Sequence, residues 1–498
     1  VGIARGGQTI LVRGYGMANL EANVPITATT IFESGSVAKQ FTATAVMLLA
    51  RDGKLNLDDP VRKFIPELPE YPRPLLVRHL LSHTSGLREW SNLVALAGWP
   101  RGLRVHTQGD LLEIITAQKS LNYPVGDYYS YTNSGFALLV TIVERVSGIP
   151  FVQFSNERIF RPLGLTNTHW RDDFTEIVPG RAQAYSRRAA GFALEMPFEN
   201  VYGPGGLLTT VGDWLKWNDH LDRKTLGADV VDSLTTRAVL TSGRTISYAR
   251  GLVVGDYRGT REVQHSGSTG GYSTFLARYP DTQLAFAVLC NVAGAPATQL
   301  THALVDALLP ALSPPVAPDT VAADPSAVAK LAGIYRSVRT HELLVIAAAS
   351  SGSGGRGGGL RALRDGAWLL GNNRVLFETA PDGSPRGLRV IGADADTVSY
   401  TFAATSPWTP TPEQLNAFAG RYRSDEVGAT WTVRVEGARL IASPRNALRT
   451  ELTPVYPDAF RSVGGLGVVW FTRDGTGAVT EMHSGAARVW DFVFRREK

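Results

Sequence analysis

The stretch FESGSVAKQF, residues 32–41, holds the pattern from which the fold and chemistry of this 498-residue chain can be interpreted. Ser36 and Lys39 are three residues apart, and side chains at that spacing lie on the same face of a helix. The lysine amine can therefore reach the serine hydroxyl and accept its proton, which activates a weak nucleophile. The chain has eight lysines, and no other has a serine three positions before it. The pattern predicts a serine nucleophile with a lysine base.

A buried helix is predicted to carry this lysine. The residues from Phe41 to Leu49 are mostly apolar, and Gly53 is placed to end the helix. Burial beside apolar side chains disfavours the charged form of an amine, so Lys39 can act as a base near neutral pH. The alternative is that a motif as short as S-x-x-K arises by chance and that Lys39 extends along the surface.

Two further segments have compositions suited to an active site. Residues 124–135, PVGDYYSYTNSG, place the Tyr131 phenol and the Asn133 carboxamide in a turn, before a second apolar helix that begins at Phe136. Residues 265–272, HSGSTGGY, lie between two strand-like segments, and their small side chains allow a substrate backbone to lie against the sheet edge. Taken singly, an aromatic turn or a glycine-serine loop is usually structural. Three such segments in this order favour an active site.

With these motifs the chain resembles the superfamily of serine β-lactamases and penicillin-binding proteins. The resemblance covers about residues 1–310 and includes LLSHTSGL at 80–87, RPLGL at 161–165 and GPGGLLTT at 203–210. It is specific for the class C β-lactamase-like branch, which includes D-aminopeptidases, D-Ala-D-Ala carboxypeptidases and esterases. The implied fold class is α+β, with an antiparallel sheet flanked by helices and an inserted all-α region.

The resemblance implies roles for the polar residues of the first two motifs. Ser36 attacks a carbonyl carbon and becomes acylated, while Lys39 and Tyr131 carry the proton. Asn133 fixes either the substrate or Lys39 by hydrogen bonds. No metal ion and no organic cofactor are expected to take part.

The resemblance also implies roles in the third motif: His265 is expected to be a catalytic residue, and Ser266, Gly267 and Ser268 are expected to contact the substrate or to form part of the oxyanion hole. The backbone N–H groups of Ser36 and Ser268 would stabilise the charge that develops on the carbonyl oxygen, with Ser266 and Gly267 bordering the substrate. Many relatives have lysine in a K-T-G triplet where this chain has His265, and histidine is common there in the esterase and D-aminopeptidase branch. A mostly neutral imidazole suits a substrate carboxylate less well than an ammonium, which argues against a true β-lactamase.

The polar residues around 83–90 receive weaker predictions. His83 is expected to order its loop through hydrogen bonds, because the family match puts it outside the site. Arg88, Glu89 and Trp90 follow the same loop and either rim the cleft or form a solvated loop with a packed tryptophan.

Composition excludes several other classes of function. With 44% apolar residues, 19% charged residues and a net charge of +5, the chain has the composition of a globular protein. Arginines are scattered, so neither a nucleic-acid partner nor a membrane surface is predicted. No run of residues is long and apolar enough to span a bilayer, and no His, Cys, Asp and Glu cluster has metal-ligand spacing. The single cysteine, Cys290, cannot form an internal disulfide.

The start of the chain does not have the pattern of a signal peptide and resembles the first strand and turn of the family, so either a leader or a short N-terminal helix is expected to have been removed before residue 1. The compartment stays open, with the periplasm or secretion favoured over the cytoplasm. The expected partners are small peptide, amide or ester substrates, and a homodimer is an open alternative to a monomer.

The organisation of the chain changes after residue 310. We predict a catalytic domain at 1–312, a proline-rich linker at 313–325, and β-barrel domains at 326–408 and 412–498. The two barrels are inferred from a repeat, LAGIYRS at 331–337 and FAGRYRS at 418–424. Some relatives have a single lipocalin-like barrel instead. The glycine-rich run at 350–359 is expected to be a hairpin tip.

The sequence therefore predicts a serine hydrolase that cleaves amide or ester bonds through an acyl-Ser36 intermediate. A D-aminopeptidase or D-amino-acid amidase is the leading interpretation. A short-chain carboxylesterase and a penicillin-binding sensor without turnover are the alternatives. In the D-aminopeptidase relatives a loop of the last barrel reaches the cleft, and the corresponding stretch here, 463–467, is short and uncharged.

Overall fold

The computed structural model describes residues 1–309, 312–315, 317–348, 359–445, 448–463 and 465–497. They form two compact units, one containing Val1–Trp90 and Arg101–Pro315 and the other containing Ser91–Pro100 and Val316–Lys498. The glycine-rich run predicted as a hairpin tip lies outside the described residues except for Gly359, and Gly464 of the short loop also lies outside them.

The first unit is built around an antiparallel six-stranded sheet. Its strands, in spatial order, are Val253–Tyr257, Thr260–Thr269, Tyr272–Tyr279, Leu284–Cys290, Gly2–Arg5 and Gln8–Val12. The central strands Tyr272–Tyr279 and Leu284–Cys290 are buried along almost their whole length. A sheet so buried has to be covered by helices on both faces.

Helices from distant parts of the chain cover the two faces. Phe275 and Tyr279 belong to the same apolar cluster as Val305 of the helix Ala297–Leu308. Arg278 pairs with Asp222 at the end of the helix Val211–Asp222. Because successive strand residues point to opposite faces, the two helices lie on opposite sides of the sheet. The predicted flanked antiparallel sheet is confirmed.

Two buried helices of this unit, Lys39–Arg51 and Asn133–Ser147, pack against each other. The first ends just before Gly53, as predicted, and Gly53 has a left-handed φ of +68°. The second begins at Asn133 rather than Phe136, because the Thr132 side chain accepts a hydrogen bond from Ser134 N and caps the helix. The remaining helices and turns of this unit are Gly35–Ala38, Val61–Lys63, Val77–Leu81, Gln108–Thr116, Phe151–Ser155, Asn156–Phe160, Ala228–Leu234 and Pro280–Thr282, whereas the helix Trp90–Leu96 belongs to the second unit from Ser91 onward.

Three small sheets complete the first unit. In one of them Leu207–Thr209 is the central strand, with Phe32–Glu33 on one side and His169–Trp170 on the other. This sheet brings three segments that are distant in the chain together just before Ser36. The others pair Met17–Asn19 with Val24–Pro25 and Tyr185–Arg187 with Phe192–Leu194. Among the described residues no single helix has the length and hydropathy of a membrane span, and only the bent pair Asn133–Ser147 and Phe151–Phe160 meets that test jointly.

The second unit contains two eight-stranded antiparallel sheets. The last one is a closed barrel of Gly420–Ser424, Ala429–Glu436, Arg439–Arg445, Leu448–Tyr456, Ala459–Ser462, Val468–Arg473, Val479–Ala486 and Val489–Arg496. Segment Ser91–Pro100 packs against this barrel, since Trp431 Nε1 donates a hydrogen bond to the Leu96 carbonyl at 2.8 Å.

The first sheet of this unit is a curled half-barrel within the described residues. Its order is Thr320–Val321, Arg361–Leu363, Trp368–Leu370, Asn373–Thr379, Pro385–Ile391, Thr397–Ala404, Gly333–Ser337 and Leu343–Ile346. Its edge strand Thr320–Val321 has only two residues and falls inside the predicted linker. An edge that short offers little backbone to pair with Leu343–Ile346, and among the described residues these two edge strands are not paired with each other. Short helices at Pro325–Leu331, Ala393–Ala395 and Pro412–Asn416 connect the strands.

The sequence repeat corresponds to a repeated structure. In the half-barrel, Tyr335 Oη donates to the Leu331 carbonyl at 2.7 Å, and in the barrel Tyr422 Oη donates to the Phe418 carbonyl at 2.8 Å. Each tyrosine is buried in the first long strand of its sheet and ties that strand to the segment just before it. The same local sequence therefore starts both sheets in the same way.

Candidate active site

Ser36 lies in a tight turn, Gly35–Ala38, that leads directly into the helix Lys39–Arg51. The Ser36 side chain is half-buried, whereas Lys39 has no solvent exposure. Their side chains meet as the spacing predicted, with 3.2 Å between Lys39 Nζ and Ser36 Oγ. The alternative of a lysine extended along the surface is wrong.

Lys39 Nζ has two other polar contacts that determine its orientation. It donates hydrogen bonds to Asn133 Oδ1 and to the carbonyl oxygen of Pro204, each at 2.7 Å. Both partners only accept, so they use two N–H groups of the amine whether it is charged or neutral. The remaining direction points to Ser36 Oγ. In the ammonium form a third N–H group points to Ser36 Oγ, and in the neutral amine the lone pair points there.

Glu89 fixes the orientation of the Asn133 amide. Asn133 Nδ2 donates to Glu89 Oε1 at 3.2 Å, while Asn133 N and Thr132 Oγ1 donate to Glu89 Oε2 at 2.6 and 3.1 Å. Because a carboxylate accepts only, the amide nitrogen has to face Glu89 and its oxygen has to face Lys39. Of the two predictions for Asn133, the geometry matches the one in which it holds Lys39. Glu89 is fully buried rather than solvated.

Tyr131 lies beside the lysine in a cluster of aromatic rings. Its ring centroid is 4.9 Å from Lys39 Nζ, a distance at which a cation is attracted to the ring face. The His83 ring packs against Tyr131 with 4.1 Å between centroids, and His83 Nδ1 accepts a hydrogen bond from Thr132 N at 3.2 Å. His83 therefore orders the backbone that carries Tyr131 and Asn133.

Residues 265–269 are the second half of a strand, Thr260–Thr269, and not the loop between strands that the sequence indicated. The neighbouring strand Val253–Tyr257 pairs with residues 260–264 only, so within the described residues the part from His265 onward has a strand partner on one side. Only glycine fits at position 267, because a Cβ there would lie 2.0 Å from the Ser34 carbonyl oxygen. Glycine is rare inside strands, so the sequence of this segment does not indicate a strand.

The open edge of this strand meets the turn that carries Ser36. Gly35 has a φ of +54°, and a Cβ on it would come within 2.5 Å of Ser268 N. Ser36 and Ser268 line the same cleft, as the predicted oxyanion hole requires. Ser266 is exposed two residues away, and its carbonyl oxygen accepts a hydrogen bond from His265.

His265 is buried, and both of its ring nitrogens have partners inside the protein. Nδ1 is 2.6 Å from the Ser266 carbonyl oxygen and Nε2 is 3.0 Å from Tyr248 Oη. A carbonyl only accepts, so Nδ1 carries the hydrogen and Nε2 accepts from the tyrosine hydroxyl in the neutral ring. Burial, reinforced by the charge of Lys39, lowers the pKa of His265 to about 3. Burial also raises the pKa of Tyr248 well above its usual value.

A buried ionic cluster supports the Ser36 turn from behind. Glu33 accepts two hydrogen bonds from Arg171, both at 3.0 Å, and a third from Arg181 at 2.9 Å. Arg171 also donates to the backbone carbonyl of Glu199. The pairing arises because strands Phe32–Glu33 and His169–Trp170 flank the same central strand. Two arginines thus share one carboxylate below the cleft.

The cleft walls include Trp90, Arg101 and Glu199 as well as Ser36 and Ser268. Of the three loop residues considered above, Trp90 lines the cleft and Glu89 lies beneath it. Arg88 points away and donates to Gln118 and Ser120.

A larger cavity of about 480 Å³, bordered by Gly6, Asp222 and Arg278, shares no lining residue with the cleft. Among the described residues no group of three or more His, Cys, Asp or Glu side chains is arranged to hold a metal ion.

Several residues of the site had no signal in the sequence. Arg101, Arg171, Glu199 and Tyr248 belong to no local motif, and each acquires its place only through a partner distant in the chain. Glu33 and Pro204 stood inside quoted motifs. Neither motif indicated that Glu33 would pair with two arginines or that the Pro204 carbonyl would accept a hydrogen bond from Lys39.

Comparison with known proteins agrees with this architecture. The family model described as Beta-lactamase matches residues 1–309. The chain is 24% identical over 505 residues to a D-aminopeptidase of Brucella anthropi, covering 100% of this chain and 90% of that protein. It is 26% identical over 309 residues to penicillin-binding protein 4* of Bacillus subtilis, covering 58% of this chain and 66% of that protein.

Among solved structures, the octameric penicillin-binding protein homologue from Pyrococcus abyssi superposes with a TM-score of 0.58 at 23% identity, covering 89% of this chain and 94% of that one. The fold and the site define a serine hydrolase of the serine β-lactamase and penicillin-binding protein superfamily. The chain belongs to the beta-lactamase family. The homodimer considered from the sequence stays a prediction.

Proposed function

We propose that the protein hydrolyses D-amino-acyl amides and short peptides through an acyl ester on Ser36. The observation that carries this proposal is the position of Lys39 Nζ. Asn133 Oδ1 and the Pro204 carbonyl oxygen accept hydrogen bonds from this nitrogen, and its third bonding direction points to Ser36 Oγ at 3.2 Å. An amine held in this way can accept the serine proton without moving, which reduces the reorganisation that the reaction requires.

In the first half-reaction, Lys39 accepts the hydroxyl hydrogen while Ser36 Oγ bonds to the substrate carbonyl carbon. The backbone N–H groups of Ser36 and Ser268 stabilise the oxyanion. Lys39 and Tyr131 return a proton to the leaving nitrogen, the C–N bond breaks, and the acyl group stays on Ser36. In the second half-reaction a water molecule loses its proton to the same pair and attacks the ester carbonyl carbon. The C–O bond to Ser36 then breaks, the pair returns the proton to Ser36 Oγ, and the acid is released.

His265 takes part in this scheme as a neutral ring. Its nitrogens are occupied by Ser266 and Tyr248, so it supports the aromatic cluster around Tyr131 and does not act as a base. The preference for D-amino-acyl amides over esters is supported by the alignment with the Brucella anthropi D-aminopeptidase, which extends over the whole chain. The short-chain ester stays the alternative substrate.

The proposal is tested by comparing kcat/KM for the p-nitroanilides of D-alanine and L-alanine, p-nitrophenyl acetate and nitrocefin. We expect the D-anilide to be turned over faster than the L-anilide, and nitrocefin slowly. Faster turnover of the ester than of either anilide would favour the carboxylesterase. A single burst of acylation with no further turnover would favour a sensor.

The nucleophile is tested by intact mass after treatment with a fluorophosphonate probe. Ser36→Ala should form no adduct, whereas the control Ser147→Ala, at the end of the helix Asn133–Ser147, should be labelled like the wild type. An adduct of unchanged stoichiometry in Ser36→Ala would show that another residue is the nucleophile.

A further inference from the structure

The cleft beside Ser36 contains an ion pair that the proposed chemistry does not use. Arg101 Nε donates to Glu199 Oε2 at 2.7 Å and Arg101 Nη2 donates to Glu199 Oε1 at 2.6 Å. Both residues line the cleft together with Ser36 and Ser268. Two parallel hydrogen bonds of this kind hold a guanidinium in a defined plane.

The two partners differ in how far they are open to a ligand. The Glu199 side chain is 8% exposed and both its oxygens face the guanidinium, whereas the Arg101 side chain is 42% exposed. Arg101 uses two of its five N–H hydrogens on Glu199 and makes no further hydrogen bond to the described residues. Its guanidinium carbon lies 5.5 Å from the centre of the Trp90 ring, which supports it from one side.

The other basic groups near Ser36 are not free for a substrate anion. Lys39 is buried and directed to Ser36, Asn133 and Pro204. His265 is neutral with both nitrogens occupied. Among the described residues that line the cleft, Arg101 is the only one with a cationic side chain.

We propose that Arg101 binds a carboxylate of the substrate, with Glu199 and Trp90 holding the guanidinium in place. The inference rests on the proposed function and adds, within its amide and peptide substrates, a preference for those that carry a free carboxylate.

The test uses two substrates that differ only in this group, D-alanyl-glycine and D-alanyl-glycinamide. We expect the wild type to favour the acid in kcat/KM. We expect Arg101→Gln to lower the ratio of acid to amide about 10- to 100-fold, as for the loss of a charge-assisted hydrogen bond. Arg104→Gln is the matched control, because Arg104 has similar exposure but pairs with Asp110 and is not among the cleft-lining residues. It should leave the ratio unchanged.

Arg101→Gln leaves Glu199 buried without its partner, so the double variant Arg101→Gln with Glu199→Gln is included. It restores a neutral hydrogen-bonded pair and should show the same loss of preference in a stable protein. Equal losses for acid and amide, or a wild-type preference for the amide, would overturn the assignment.

A binding measurement separates this inference from the proposed function. In the Ser36→Ala background, calorimetry gives the dissociation constants of both dipeptides without turnover. The acid should bind more tightly, and the added Arg101→Gln change should abolish the difference. If the wild type hydrolyses neither dipeptide, the proposed function fails, while the ratio of dissociation constants still decides whether Arg101 binds the carboxylate.

Discussion

Tyr248 donates its hydroxyl hydrogen to His265 Nε2 across 3.0 Å, and this bond, with the one from Nδ1 to the Ser266 carbonyl, holds His265 as a neutral ring. The imidazole occupies a position where many relatives have lysine, yet it has neither a charge nor a free nitrogen for a substrate. It contributes shape and packing to the site, and the cleft presents its positive charge at Arg101 instead.

The first prediction concerns stability at low pH. Burial and Lys39 lower the pKa of His265 to about 3, against 6.5 in the unfolded chain. Above pH 6.5 the ring is neutral in both states and has no effect. Between pH 6.5 and 3 only the unfolded state binds a proton, so the free energy of unfolding falls by up to about 1.4 kcal/mol per pH unit.

His265→Gln removes this titration while its amide oxygen can still accept from Tyr248. Urea unfolding between pH 4 and 8 should therefore give a shallower pH dependence for the variant than for the wild type. Parallel curves would show that His265 has the same pKa in the folded and unfolded states, which would contradict its burial as a neutral ring.

A second prediction follows from the orientation of the Asn133 amide. Glu89→Gln replaces one of the two accepting oxygens with an NH2 group. The remaining oxygen is expected to accept the shorter hydrogen bond from Asn133 N, so the NH2 group faces Asn133 Nδ2, and the Asn133 amide rotates and turns its nitrogen toward Lys39 Nζ. The acylation rate should fall about 10- to 100-fold, as expected when a buried charged group loses a hydrogen bond.

The reciprocal variant provides the check. Asn133→Asp alone puts two carboxylates together and should also be slow, but combined with Glu89→Gln it restores a donor facing an acceptor. The double variant should be faster than either single variant in stopped-flow acylation. Losses that simply multiply would contradict the arrangement.

A third prediction compares two glycines with left-handed backbone. Gly35→Ala would place a Cβ 2.5 Å from Ser268 N, whereas Gly53→Ala, at a similar φ, has no atom within 4 Å. Both changes should destabilise by about 1–2 kcal/mol through backbone strain. Only Gly35→Ala should also lower kcat/KM, by about 100-fold or more, because it moves the Ser36 turn away from Ser268. Similar activity in the two variants would place the oxyanion hole elsewhere.

A fourth prediction compares a buried with an exposed ion pair. Arg171→Met leaves the buried Glu33 with Arg181 alone and should lower the free energy of unfolding by about 3 kcal/mol. Arg145→Met breaks the surface pair with Glu67, in which the two side chains are 35% and 48% exposed. This change should lower the free energy of unfolding by less than about 1 kcal/mol. Equal costs in denaturant unfolding would mean that the buried cluster adds no more stability than a surface ion pair.

Local spacing was enough to predict several features of the protein from sequence. Ser36 and Lys39 meet because a separation of three residues is a contact within one helical turn, whatever surrounds it. The repeat around Tyr335 and Tyr422 likewise corresponds to a contact with the residue four positions earlier in the chain. The sequence alone therefore indicated that the two segments are equivalent. The strand character of residues 265–269 was missed, because glycine and serine have little strand propensity and sheet packing overrides it.

The tertiary structure decided which groups are charged, paired and open to a ligand. Glu33 and Arg171 are 138 residues apart, Arg101 and Glu199 are 98 apart, and Glu89 and Asn133 are 44 apart. No local pattern links such pairs, since their contact depends on how sheets and helices pack. The protonation of His265 depends on the same packing, because burial next to Tyr248 and Lys39 sets the free energy of adding a proton to the ring.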